Sequence, residues 1–268
     1  MSIFTGAGVA LVTPFKEDLS VDYDQLEKFI DFQIDNGTDS IVICGTSGEA
    51  STMSHDEQIE VVSACVSHVN GRVPVIAGAG ANCTDEALNL AKRSEKAGAD
   101  GLLVVTPYYN KATQKGLEEY YTTVGNSVDI PIIMYNVPGR TGTNIQPATA
   151  VKIAKSVDNI VAIKEASGDI GQVATLAALV DGLSNVAPRE THDMVMKFLE
   201  GDVKGSLDIQ LKYMDVIHNL FSEVNPIPAK RAVAEMGYCK NIVRRPLTEM
   251  EEDHAQVLIQ SMKEAGIL

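Results

Sequence analysis

The first two-thirds of the chain repeats one pattern. A short apolar run comes first, then a turn rich in glycine or polar residues, then an amphipathic stretch of helical period. Six runs read as strands: residues 8–13, 40–44, 73–77, 101–106, 131–135 and 160–164. They are apolar throughout rather than alternating, as expected of a parallel sheet covered by helices. Between them Leu26, Phe29, Ile30 and Ile34 follow the 3.6 period. Ser54-His55-Asp56-Glu57 is a capping box, Thr84-Asp85-Glu86 opens a further helix, and Pro147 stands where a first-turn proline belongs. One unit takes about 30 residues, the spacing of a (β/α)8 TIM barrel.

The repeat then fails. After a helical pattern over 170–180 a seventh strand is due, but Asp181-Gly182-Leu183-Ser184-Asn185-Val186-Ala187-Pro188 is too short and too turn-like. Beyond it the periodicity is helical over 191–200, 203–224, 228–236 and 248–265. Leu207, Leu211, Met214 and Phe221 are expected to form one buried stripe. The expectation is an α/β barrel body (1–184) with a C-terminal helical region (185–268) packed on it. Only six strands are readable, too few to close an ordinary eight-stranded barrel.

Composition narrows the class. The chain has 268 residues, 45% hydrophobic and 22% charged, with a net charge of −14 and a pI near 4.7. It has no Lys/Arg-rich run, so nucleic acid is not an expected partner. It shows no signal peptide and no apolar stretch of membrane length, so a cytoplasmic, membrane-free protein is expected. Four scattered cysteines read as reduced thiols, and the five histidines lack metal-ligand spacing.

The candidate chemistry gathers just past strand ends, where ligands bind in alternating α/β folds. Of the fifteen lysines, only Lys164 ends an apolar strand. A lysine desolvated there loses its proton more readily, and the neutral amine can form a Schiff base with a carbonyl; pairing with Glu165 is the structural alternative. Gly45-Thr46-Ser47-Gly48-Glu49 offers N–H groups and two hydroxyls to a carboxylate or phosphate, or is an ordinary βα turn. The tyrosines of Thr106-Pro107-Tyr108-Tyr109-Asn110 can donate protons, meet a neighbouring subunit, or simply pack. In Tyr135-Asn136-Val137-Pro138-Gly139-Arg140-Thr141-Gly142, a tyrosine hydroxyl can relay protons and an arginine can clamp a carboxylate. His55 reads as a solvated first-turn residue, and His192, His218 and His254 as structural or solvent-facing. Together these residues point to a Schiff-base lyase or aldolase.

At these motifs the chain resembles the dihydrodipicolinate synthase family of pyruvate-dependent class I aldolases. Residues 45–49, 106–110, 135–142 and 164–168 stand in the family's order and spacing. Phe4-Thr5-Gly6, residues 76–80 and Asn225-Pro226-Ile227-Pro228 agree as well. The resemblance implies that Lys164 forms an imine with pyruvate, whose enamine attacks L-aspartate-4-semialdehyde in lysine and diaminopimelate biosynthesis. Tyr135 would move protons, and Thr46 would link it to Tyr109 of a neighbouring subunit. Thr46 and Ser47 would hold the pyruvate carboxylate and Arg140 that of the semialdehyde. Ser47 replaces the family's usual threonine and keeps its hydroxyl. The resemblance further implies no metal and no organic cofactor, a homotetramer or homodimer, and lysine as feedback inhibitor at His55, Asn82, Glu86 and Tyr108, with Ser51 and Gln58 beside them. Roughly 25 family residues, close to one βα unit, have no counterpart after Ser184. The rival expectations are a pyruvate aldolase acting on a sugar acid and a catalytically impaired paralogue.

Overall fold

The computed structural model describes residues 3–168 and 185–268. The helix expected over 170–180 and the join of Ser184 to Asn185 lie outside them. The chain forms two compact units, one of residue 3 with 74–168, the other of 4–73 with 185–268.

In the first unit, β3 (Val75–Gly78), β4 (Gly101–Val105), β5 (Ile132–Asn136) and β6 (Ile160–Glu165) pair in parallel in that order. They alternate with α3 (Thr84–Lys96), α4 (Gln114–Gly125), the single turn α5 (Pro138–Thr141) and α6 (Pro147–Ser156). Their apolar runs make the core: Ile76, Leu102, Val104 and Ile132 are fully buried, each contributing about 1.5–3 kcal/mol by leaving water. α4 starts where the Thr113 hydroxyl accepts from the Gly116 N–H, and α6 starts on Pro147.

Gly80 lies where β3 hands over to its loop. A side chain there would collide with the Val105 backbone nitrogen and come within 2.7 Å of its Cγ1 and 2.8 Å of its carbonyl oxygen. β3 starts at Val75 rather than at Val73, because Pro74 has no N–H to give a ladder.

In the second unit β1 (Gly8–Ala10) pairs in parallel with β2 (Ser40–Ile43), flanked by α1 (Tyr23–Asp35) and α2 (His55–Val69). The expected capping box holds: the Ser54 hydroxyl accepts from the Glu57 N–H. β1 is shorter than the apolar run 8–13: the Leu11 N–H still donates to the Val42 carbonyl of β2, and the backbone of Val12 and Thr13 then finds other partners. The Val12 N–H donates to Asn185 Oδ1 (3.2 Å), and Asn185 Nδ2 donates to the Ala10 carbonyl (2.8 Å). The fully buried Asn185 amide thus satisfies an acceptor of β1 and a donor just past its end, as a neighbouring strand's backbone would.

The tail of this unit carries α7 (Pro188–Leu199), α8 (Val203–Lys212), α9 (Met214–Asn219), α10 (Ile227–Glu235) and α11 (Glu252–Ala265). Here two expectations fail. The single helix over 203–224 is broken at Tyr213, and the stripe Leu207, Leu211, Met214 and Phe221 is exposed. Ser206, Tyr213, Val216 and Leu220 form the buried face instead, about 100° around the helix from the expected one.

Candidate active site

In the first unit, β5 and β6 run in a register that sets Tyr135 opposite Lys164 and Asn136 opposite Glu165. Successive strand residues point to opposite faces, so the first pair shares one face and the second the other. Lys164 is only 8% exposed, and its Nζ lies 4.7 Å from the centroid of the buried Tyr135 ring. An amine against an aromatic face at a strand's carboxyl end is well placed to meet a carbonyl compound.

The opposite face holds a network that sequence reasoning missed. Asn136 Nδ2 donates to both oxygens of the buried Glu165, at 3.1 and 2.9 Å, and to Asn144 Oδ1 at 2.7 Å. Asn136 Oδ1 accepts from the Ile145 N–H, and Glu165 Oε1 from the Ser167 N–H. One residue beyond Tyr135 and one beyond Lys164, these side chains tie down the turn after β6 and the far end of the loop carrying Arg140. Arg140 itself is exposed on α5, which ends at Gly142 with φ +69°.

The loop after β4 is strained and outward. Tyr109 has φ +72° and Lys111 +49°, a region non-glycine residues seldom enter. Tyr109 is 89% exposed. Its N–H donates to the Thr141 carbonyl, and Asn110 Nδ2 to the Asn82 carbonyl. Tyr108 is exposed at 40%, and its phenol feels two of the other three expected lysine-binding residues, Glu86 and Asn82. Partial burial raises its phenol pKa, the Glu86 carboxylate adds to the rise, and a hydrogen bond with the Asn82 backbone opposes it.

In the second unit, Gly45–Glu49 follows β2 as a tight turn. The Glu49 N–H closes on the Thr46 carbonyl at 3.1 Å. Thr46 is half-buried; Ser47 is fully buried, its Oγ accepting from Asn225 Nδ2 at 3.0 Å. His55 begins α2, half-buried, and Gln58 Nε2 is committed to the Ala50 and Met53 carbonyls. His192 Nδ1 lies 2.8 Å from Asp39 Oδ2, a structural contact. Buried Cys44 is an inert thiol, raised far above the ordinary range by desolvation, and Cys65 is pushed up to about 12 by the same cause.

A second buried lysine also went unnoticed in the sequence. Lys230 on α10 is wholly inaccessible and pairs with Glu49 at 2.8 Å. The available signal was its place three residues after Ile227 and three before Val233, inside an apolar stripe.

A parallel α/β fold with a buried lysine at a strand's carboxyl end, beside a tyrosine ring, is an arrangement that suits the Schiff-base class of enzymes. The profile of the Dihydrodipicolinate synthetase family matches residues 3–183 and 178–265, and the chain belongs to that family. A 4-hydroxy-tetrahydrodipicolinate synthase of Lachnoclostridium phytofermentans is 54% identical, all of both chains being covered. A dihydrodipicolinate synthase of Acinetobacter baumannii complexed with pyruvate superposes with a TM-score of 0.95 (37% identity, 98% of this chain, 99% of that one). One from Cyanidioschyzon merolae with lysine bound gives 0.96 (36% identity, 100% of both).

The alignment with the L. phytofermentans protein spans 294 positions and all 268 residues of this chain, so 294 less 268, or 26, positions are empty here. The family profile likewise matches in two pieces that meet at 178–183. Both agree with the segment found absent by motif comparison. Among the described residues no helix is long and apolar enough to cross a membrane.

Proposed function

We propose that this chain condenses pyruvate with L-aspartate-4-semialdehyde to 4-hydroxy-tetrahydrodipicolinate through a Schiff base on Lys164. The amine adds to the keto carbon of pyruvate and water leaves, giving an imine. Loss of a methyl proton gives the enamine, whose carbon attacks the aldehyde. Ring closure by the semialdehyde's own amino group then releases the lysine. Tyr135 carries protons to and from the imine and the new hydroxyl. Thr46 and Ser47 hold the pyruvate carboxylate, and Arg140 clamps that of the semialdehyde. Tyr109, exposed on a strained loop, completes the hydroxyl chain in a neighbouring copy of a dimer or tetramer.

The observation that carries this reading is the buried Lys164 side chain with its Nζ beside the Tyr135 ring. The test is borohydride reduction in the presence of pyruvate followed by peptide mass mapping. A reduced pyruvate adduct on Lys164 is expected; its absence rejects the reading. The names of the relatives support this substrate pair over a sugar acid. The 26 empty positions favour a second reading, a family member that forms the adduct but turns over slowly, because water admitted to the pocket weakens catalysis. Adduct formation without product distinguishes it.

Lysine regulation, expected at His55, Asn82, Glu86 and Tyr108, is supported by the influence of the Glu86 carboxylate and the Asn82 backbone on the Tyr108 phenol. Lysine titration of activity tests it: inhibition in the wild type and its loss in Glu86→Gln are expected, and no inhibition at millimolar lysine removes it.

A further inference from the structure

Lys230 and Glu49 form an ion pair with no solvent access on either side chain. Lys230 Nζ also donates to the Thr13 carbonyl at 2.6 Å and the Ile242 carbonyl at 3.1 Å. Nζ thus makes two hydrogen bonds to carbonyls and an ion-pair contact with a carboxylate, surroundings that suit an ammonium and not a second nucleophile. Phe15 covers it, its ring centroid 4.4 Å from Nζ. The other Glu49 oxygen accepts the Arg244 N–H at 3.0 Å. Burial pulls the lysine's pKa down from its ordinary range while Glu49 acts the other way.

Burying two charges is costly, and an apolar pair of similar volume is often no less stable. The location of this pair suggests what it does. Glu49 ends the Gly45–Glu49 turn in the left-handed region, at φ +56°, a conformation costing about 1 kcal/mol or more in a non-glycine residue. Its N–H closes that turn on Thr46. The turn is gripped twice from the same side: Asn225, just before α10, reaches Ser47, and Lys230, on α10, reaches Glu49.

We propose that Glu49 and Lys230 are positioning residues that lock the Thr46–Ser47 turn in the conformation that receives the pyruvate carboxylate. The ligand assignment rests on the function proposed above; the locking of the turn does not. The test is the double variant Glu49→Gln/Lys230→Met, which removes both charges together. Hydrogen exchange at the amides of residues 46–49 is expected to quicken by on the order of tenfold or more. Pyruvate KM is expected to rise by roughly 10- to 100-fold, the scale of a small misplacement, with semialdehyde KM unchanged. Wild-type exchange and wild-type pyruvate KM in a folded double variant overturn the proposal. Glu49→Asp keeps both charges, retracts the carboxylate by one methylene and shows both effects more weakly. If the double variant does not fold, Glu49→Asp decides, and wild-type behaviour in it is equally fatal. If the wild-type protein forms no pyruvate adduct, the functional reading alone fails, and the exchange measurement still decides whether the pair locks the turn.

Discussion

Tyr135 and Lys164 are direct partners in the parallel ladder of β5 and β6, and the lysine's Nζ sits 4.7 Å from the tyrosine ring centroid. The contact follows from register alone: a slip of one residue would send one of the two side chains to the opposite face. Lys164→Ala is therefore expected to abolish borohydride trapping of pyruvate and lower kcat by at least about 10³-fold, whereas Tyr135→Phe keeps the lysine and loses only a proton carrier, about 10²–10⁴-fold in kcat. Steady-state kinetics with mass mapping separates the two. A trapped adduct in Lys164→Ala would move the chemistry to another residue.

Arg140 stands exposed on the short α5 turn, with its loop braced where Asn136 takes the Ile145 N–H. Arg140→Lys keeps the charge and loses the two-pronged geometry. Semialdehyde KM is expected to rise by about 10- to 100-fold, the worth of a charge-assisted hydrogen bond, with pyruvate KM unchanged. A change in pyruvate KM alone would reverse the assignment of the two carboxylate sites.

The strands were legible because parallel strands are buried on both faces and so read as unbroken apolar runs. Lys164 was legible for the same reason, as a charge ending such a run. The stripe of Leu207, Leu211, Met214 and Phe221 shows where this logic stops. Periodicity reports that one face of a helix is apolar, but burial requires a partner from elsewhere in the chain. The face that finds one is the neighbouring face of Ser206, Tyr213, Val216 and Leu220. Lys230 was hidden differently: its partner lies 181 residues away, and no local pattern names it. Asn225-Pro226-Ile227-Pro228 was visible as a motif, yet only the fold gives Asn225 a purpose, at Ser47 Oγ.

Gly80 admits no side chain. Ala at this position would press its Cβ on the Val105 backbone, so Gly80→Ala is expected to cost about 1–3 kcal/mol, the usual range for overpacking, and more if β4 cannot shift. Chemical denaturation measures it. A wild-type midpoint would mean the β3–β4 crossing is looser than the geometry states.

Asn185 serves β1 as a strand would. Asn185→Ala strands the Ala10 carbonyl and the Val12 N–H in a buried setting, at about 1–3 kcal/mol for each group left unsatisfied. Asn185→Asp keeps the acceptor for Val12 and loses the donor to Ala10, so it is also expected to destabilise. Unfolding midpoints of the two variants against wild type check this; an unchanged midpoint for both would show that the edge is satisfied by something else.

Arg244 and Glu57 make a two-pronged pair, with both guanidinium Nη atoms 2.7 Å from the two carboxylate oxygens. The hydrogen bonds from Arg244 are the main reason that the Glu57 carboxyl lies below its ordinary range; partial burial pulls against them and loses. A carboxyl whose pKa is lower folded than unfolded binds fewer protons in the native state. Its stabilisation is therefore complete above the unfolded value, near 4.5, and drains away as pH falls through the lower folded value. Glu57→Gln never carries that charge. It is expected to lose about 1–2 kcal/mol at pH 7, some 2–5 °C in Tm. As pH falls from 4.5 through the lower folded value its Tm should converge on that of the wild type, because protonation removes the same interaction there. Thermal melts from pH 7 to pH 3 read this directly. A constant Tm difference across the whole range would mean that Glu57 contributes by shape alone, and a difference that grows toward low pH would reverse the sign of the linkage.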